Sequence, residues 1–249
     1  MRYFIELSYK GTRFHGWQLQ GNAYTVQAEL NRALNMLFRQ YVPTYGCGRT
    51  DTGVHARQFF AQFDLPDTIE IENADELVRK LNSILLPDIC LYRIFEVAPN
   101  ASTRFDAISR TYKYFISTYK NPFWQEFAYY FPYPLNIRKM NNAAKLLLQT
   151  TEFGSFVKAH AESKTNICNV THAHFVEDKR NRLITFTITS NRFLRNMVRA
   201  VVGTLLDVGN GKSSQKDMLA VIDSQNRSNA GASAPAAGLF LWEVKYPYI

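Results

Sequence analysis

The run Gly48-Arg49-Thr50-Asp51-Thr52-Gly53-Val54-His55-Ala56 holds the residues best placed to do chemistry. Asp51 sits between two threonines, Arg49 precedes it by two positions, and Gly48 and Gly53 bracket the group. By spacing alone, Asp51 reads as a turn-capping side chain bonded to the Thr52 and Gly53 amides. The second reading is a carboxylate kept ionised and aimed at a substrate. Arg49 supports it, as do Arg192, Arg195 and Arg199, whose spacing predicts one face of a helix. A cation a few ångströms away favours the ionised carboxylate, the form a nucleophile or base needs. His55 reads either as a general base or as a loop histidine donating to a backbone carbonyl.

Other candidates are weaker. Tyr112 and Tyr114 alternate on one strand and share a face, as core packing or as rings stacked on a base, with Arg110 near for a phosphate. His172 and His174 could share a strand face like two metal ligands, but no third ligand has suitable spacing. Cys47 adjoins the aspartate loop and reads as a small apolar strand residue rather than a nucleophile. Cys47, Cys90 and Cys168 are odd in number and far apart, which argues against a disulfide framework or a cysteine-rich zinc site. No phosphate-binding loop or dinucleotide fingerprint is present.

The chain has 249 residues, 46% hydrophobic and 14% aromatic, enough to bury a core. No apolar run approaches the roughly eighteen residues of a membrane span. Residues 1–7 carry Glu6 and no small-residue cleavage site, so they read as a strand rather than a leader, and a cytoplasmic protein is expected. The net charge of +8 suits a polyanionic partner. Arginines interleave with aromatics at Arg104-Phe105, Arg110-Thr111-Tyr112 and Arg192-Phe193-Leu194-Arg195, a composition suited to phosphates plus a stacked base.

These residues need a scaffold. Alternation predicts strands over 2–10, 42–48, 57–64, 89–98, 108–118, 170–178, 182–190 and 239–246. The helical period, with caps at Thr25, Asn73 and Asn136, predicts helices opening after each, another over 195–208 and a further one starting near Ser214. Each half reads strand, helix, two strands, helix, strand. The expectation is an α+β fold of two similar halves, with mainly antiparallel mixed sheets and helices packed on them. The halves are 1–104, with the aspartate loop, and 105–249, with the tyrosine strand and arginine helix. Residues 150–169 read as an insertion and 226–237 as a flexible loop.

The aspartate motif resembles that of the tRNA pseudouridine synthase A family, and so does much of the chain. Tyr9-Lys10-Gly11-Thr12-Arg13-Phe14-His15-Gly16-Trp17-Gln18 resembles the family's first strand and loop, and Thr25-Val26-Gln27 the start of its first helix. Phe105-Asp106-Ala107 with Arg110-Thr111-Tyr112-Lys113-Tyr114 resembles its tyrosine strand. Phe193-Leu194 with Met197-Val198-Arg199 and Gly203 resembles its C-terminal helix, and Ala236-Ala237-Gly238-Leu239 its closing strand. Cys47 and Thr52 stand where alanine is commoner, Leu19 where a basic residue is frequent, and 121–134 is unusually aromatic.

The resemblance implies an active-site cleft between the halves with Asp51 as the catalytic carboxylate. Arg49 would position RNA and the flipped base, Tyr112 stack on the uracil, Arg199 pair with the aspartate, and Leu239 line the base pocket. The implied reaction converts uridines at positions 38, 39 and 40 of the tRNA anticodon stem-loop to pseudouridine, without cofactor or metal. The implied assembly is a homodimer gripping tRNA. The residues alone also admit a non-catalytic RNA-binding protein on the same scaffold. An aspartate-dependent hydrolase would lack a second carboxylate at motif spacing.

Overall fold

A computed structural model describes residues 1–158 and 165–249. The chain forms two compact units, one of Met1–Ile108 with Leu241–Ile249, the other of Ser109–Phe240.

The first unit contains β1 (Arg2–Tyr9), α1 (Val26–Phe38), β2 (Tyr45–Gly46), β3 (His55–Asp64), α2 (Ala74–Ile84) and β4 (Ile89–Val97). β1 lies between β3 and β4, antiparallel to both, and β2 pairs with β3. The register sets Tyr3 opposite Phe63, Ile5 opposite Ala61 and Leu7 opposite Phe59. Odd positions of β1 therefore share one face. α1 covers that face: Tyr3 stacks on Phe63 at 5.4 Å, and Phe63 meets Phe38 at 6.2 Å. Phe4 points the other way, onto Tyr246 and Tyr248. The strand is thus covered on both sides here, and Phe4 and Ile5 are both fully buried.

α1 begins where expected because extended Thr25 accepts the Ala28 amide at 3.2 Å through its hydroxyl, a cap worth about 1 kcal/mol. Asn73 opens α2 by accepting the Glu76 amide at 2.9 Å. β2 is shorter than the predicted 42–48. The Thr44 amide and hydroxyl turn instead to the Asn31 side chain, at 3.1 and 2.7 Å.

The second unit contains β5 (Ser109–Ser117), β6 (Tyr129–Tyr130), α3 (Ile137–Ala144), β7 (Val170–Asp178), β8 (Leu183–Ser190), α4 (Met197–Gly209) and α5 (Gln215–Ser224). Strand β9 (Leu239–Lys245) begins in this unit and ends in the first. β8 lies between β5 and β7, antiparallel to both, while β6 adds to β5 in parallel. Tyr114 faces Phe186 across the β5–β8 ladder, and Phe186 stacks on Phe175 at 4.3 Å. α4 is the core helix, with Met197, Val201, Val202 and Leu205 fully buried. A reciprocal capping box between Ser214 and Asp217 opens α5. The architecture is α+β with mainly antiparallel mixed strand pairing, as read from the sequence.

Two expectations change. α4 starts at Met197, and Asn196 takes a left-handed conformation (φ 66°), which stops the helix reaching back to residue 195. Arg192 and Arg195 therefore precede the helix, and only Arg199 rides on it. Residues 226–237 are not a loose loop. Arg227 bonds the Ala230 and Gly231 carbonyls and the Ser233 hydroxyl, and the Gly231 amide donates to Thr204 on α4 at 3.0 Å. A Cβ on Gly203 would lie 1.7 Å from the Ala232 oxygen, so this strap sits directly on the helix backbone. Within the 150–169 segment, Phe153 and Phe156 are fully buried. The part of that expectation falling on residues 159–164 lies outside the described residues. Among the described residues no helix is long and apolar enough to cross a membrane.

Candidate active site

Asp51 sits half-buried in the loop joining β2 to β3, with Arg49 exposed beside it. The Asp51 carbonyl accepts the Val54 amide at 3.1 Å, and Gly53 supplies the left-handed φ of 78° that this turn needs. A Cβ on Gly48 would meet nothing within 4 Å, and its φ is not positive, so only one of the two bracketing glycines is a conformational hinge.

The turn is clamped on both sides of the aspartate. Before it, the Thr50 carbonyl accepts the Trp17 amide at 3.4 Å, and the Thr50 and Tyr9 hydroxyls meet at 2.9 Å. After it, the Gly53 amide donates to the Phe14 carbonyl at 3.2 Å. The approach is backbone against backbone. A Cβ on Gly16 (φ 82°) would lie 2.2 Å from the Thr50 oxygen, and one on Gly11 would lie 1.9 Å from the Val54 oxygen. His55 opens β3 and is buried, and its Nδ1 accepts the Gly11 amide at 3.1 Å. In neutral imidazole that places the ring proton on Nε2. His55 therefore pins the same segment by accepting from an amide, the reverse of the expected donation to a carbonyl.

The clamp is itself held by α1. Unsatisfied amides in the first turn of a helix seek acceptors, and here the Val26 and Gln27 amides take the Gly16 and Trp17 carbonyls at 3.2 and 3.0 Å. The Trp17 ring stacks on Phe59 at 4.2 Å. Cys47 is buried, its amide bonded to the Phe60 carbonyl, which fits its reading as a small apolar residue.

The other candidates belong to the second unit. Half-buried Tyr112, on β5, meets Phe193 edge-on at 5.0 Å, which fixes its ring plane. Arg110 donates to the Asn191 carbonyl at 2.8 Å. Tyr114, by contrast, is core: it is fully buried and its hydroxyl donates to the Pro235 carbonyl at 2.7 Å. Burial pushes its phenol well above the usual range, with the Arg199 charge pulling the other way. Arg199, on α4, donates from Nε to the Ala234 carbonyl at 2.8 Å, and its own carbonyl accepts the Ala234 amide at 2.9 Å. A Cβ on Gly238 would lie 2.7 Å from the Phe115 oxygen and 2.8 Å from the Tyr114 ring, which seats Leu239 at the start of β9. Residues 234–239 thus tie Tyr114, Arg199 and Leu239 together. Sequence reasoning singled out Ala236–Leu239 but not Ala234 and Pro235, whose backbone groups hold Arg199 and Tyr114.

Phe105 is largely exposed, with the Arg104 guanidinium 5.3 Å from its ring. His172 and His174 sit 6.4 Å apart on β7, and among the described residues no group of three or more His, Cys, Asp or Glu could hold a metal ion.

Comparison with known proteins extends the picture. A sequence profile described as tRNA pseudouridine synthase matches residues 143–247. Proteins named tRNA pseudouridine synthase A align over nearly the whole chain. The one from Bacteroides fragilis is 47% identical, covering 99% of this chain and 96% of its own. Those from Fervidobacterium nodosum and Bacillus velezensis are 39% and 38% identical, covering 98% and 99% of this chain and 99% of theirs.

Proposed function

Because the chain belongs to the tRNA pseudouridine synthase A family, we propose that Asp51 is the carboxylate with which this isomerase acts on tRNA uridines. The family reaction breaks the bond from the ribose to N1 of uracil and forms one to C5. N1 gains a proton and C5 loses one, so no oxidant, reductant or group donor enters the balance. The target base must leave its stack to expose the ring. Tyr112 takes the role of stacking on it, Arg49 of positioning RNA and base, Arg199 of the arginine partnering the carboxylate chemistry, and Leu239 of lining the base pocket. The substrate uridines lie in the anticodon stem-loop, at positions 38, 39 and 40. The working form is a cytoplasmic homodimer.

One observation supports the assignment of Asp51: its turn is pinned at Thr50, just before it, and at Gly53, two residues after it, by backbone bonds to Trp17 and Phe14. A group preorganised in this way needs little rearrangement as the reaction proceeds, which is where catalytic groups gain most. The test is Asp51→Asn, which removes charge but little volume. Unmodified tRNA is incubated with the variant, and pseudouridine formation and tRNA affinity are measured on the same preparation. Product should vanish while affinity stays close to wild type, because phosphate contacts supply most of it. Turnover within about tenfold of wild type would overturn the assignment.

A further inference from the structure

The reaction leaves one fully buried carboxylate in the first unit unexplained. Glu29 lies on α1 with its side chain wholly shielded from solvent. Arg32 grips it with two bonds of 2.7 Å, and the Leu86 amide donates to it at 3.1 Å. The remaining partner is the Tyr24 hydroxyl, which donates to the same oxygen as Arg32 Nε. Arg32 also bonds the Ile84 carbonyl at 3.0 Å, so the end of α2 is anchored here too.

Tyr24 leads from this anchor to the aspartate turn. Its ring stacks on Phe14 at 5.8 Å with planes 27° apart, and its carbonyl accepts the His15 amide at 2.9 Å. Phe14 is buried, and its carbonyl holds the Gly53 amide two residues past Asp51. Gly16 and Trp17, next along, press on Thr50. An anchored carboxylate, a phenol, a stacked pair and one backbone hydrogen bond thus connect the interior of α1 to the turn.

We infer that Glu29 and Tyr24 form a latch that sets the seat of segment 14–17 and so positions Asp51. Both are positioning residues for the isomerisation; neither touches the uridine. The inference rests on Asp51 being the catalytic group. A small displacement at a reacting group costs far more in rate than in affinity. Tyr24 itself is 45% exposed, but the carboxylate it bonds is shielded from water, and a hydrogen bond to a buried charge holds its geometry more firmly than one to a solvated charge.

The test compares Tyr24→Phe, which keeps the stacked ring, with Glu29→Gln, which keeps the shape, and with the double variant. Single-turnover rates are measured at saturating tRNA, with the tRNA dissociation constant and the thermal midpoint on the same preparations. Each single variant should slow the chemical step about tenfold and leave affinity within about twofold, and the double should be no slower than the worse single, as one shared latch requires. Tyr24→Phe keeps the test readable should Glu29→Gln fold poorly. A lower thermal midpoint with an unchanged single-turnover rate would make the pair merely structural and overturn the inference. So would multiplying rate effects in the double variant. Asp51→Asn run in parallel separates the two readings. If it stays active while the latch variants are slow, the catalytic assignment falls, and with it the claim that the latch acts through Asp51. If it is inactive while the latch variants run at wild-type rate, only the latch falls.

Discussion

Gly16→Ala should both destabilise this protein and slow it, and a matched control exists in the same chain. Gly16 and Gly211 have almost the same φ, 82° and 83°. An L-residue in the left-handed region costs about 1–2 kcal/mol, and both substitutions incur that. They differ in surroundings. A Cβ at Gly211 has nothing within 4 Å, whereas one at Gly16 lies 2.2 Å from the Thr50 oxygen. Ordinary contact begins near 3.4 Å, so Thr50 or Gly16 must retreat by more than an ångström. Forced overpacking adds about 1–3 kcal/mol, which makes about 2–5 in all at Gly16 against 1–2 at Gly211. Because Thr50 adjoins Asp51, a shift of that size should also cut turnover about a hundredfold. Urea titrations of both variants give the stability difference, and single-turnover pseudouridine formation gives the rate. Equal stability losses, or a Gly16→Ala enzyme with wild-type turnover, would refute the claim that this close approach seats the aspartate.

Tyr112→Leu should lose more activity than Tyr112→Phe, since stacking on a base is worth about 1–3 kcal/mol; normal turnover in both would make Tyr112 only a packing residue. Burial works against the charge on Glu29, but hydrogen bonds from Arg32, Tyr24 and the Leu86 amide outweigh it and hold its carboxyl below the usual range, as Arg2 does for Asp64. A lowered folded-state value means the unfolded chain binds protons first as pH falls, so this stabilisation is complete above about pH 5 and disappears below it. Thermal midpoints should fall as pH drops below about 5, and Glu29→Gln should flatten that slope. Burial pushes the Cys168 thiol up to about 11, and Cys47 is buried as well, while Cys90 is exposed. Iodoacetamide on the native protein at neutral pH should therefore label Cys90 alone, read by mass spectrometry, with turnover unchanged.

The scaffold was legible where its cause is local. Thr25, Asn73, Asn136 and Ser214 each cap the helix they were read to open. The alternation of β1 and β8 follows the pleat. The arginine face failed because 192, 195 and 199 satisfy the helical period while Asn196, between them, turns the backbone left-handed. Composition misled at 226–237. Small residues are common in loose loops, but here they let one backbone lie against another, at Gly231 beside Thr204 and Ala232 beside Gly203. The aspartate motif could be picked out by its residue types, but not its dependence on Gly16, which is distant in sequence. The burial of Glu29 was not legible either: beside Arg32 on its own helix, its partners come from Leu86, past the end of α2, and from Tyr24.

The division of the first unit has a consequence for how the protein is made. That unit needs residues 241–249. Tyr246 packs on Phe4 and Phe60 and donates to the Thr103 carbonyl, Val244 bonds the Gln58 side chain, and Lys245 accepts the Ile108 amide. The second unit is one unbroken stretch between the two pieces. On a ribosome adding about 5–20 residues per second, the first unit waits roughly seven to twenty-eight seconds for its missing strand. Synthesis order is thus inverted: the segment translated second is complete first. Meanwhile the aromatic face around Phe4 stays open in the nascent chain, and that interval is when a chaperone would matter most.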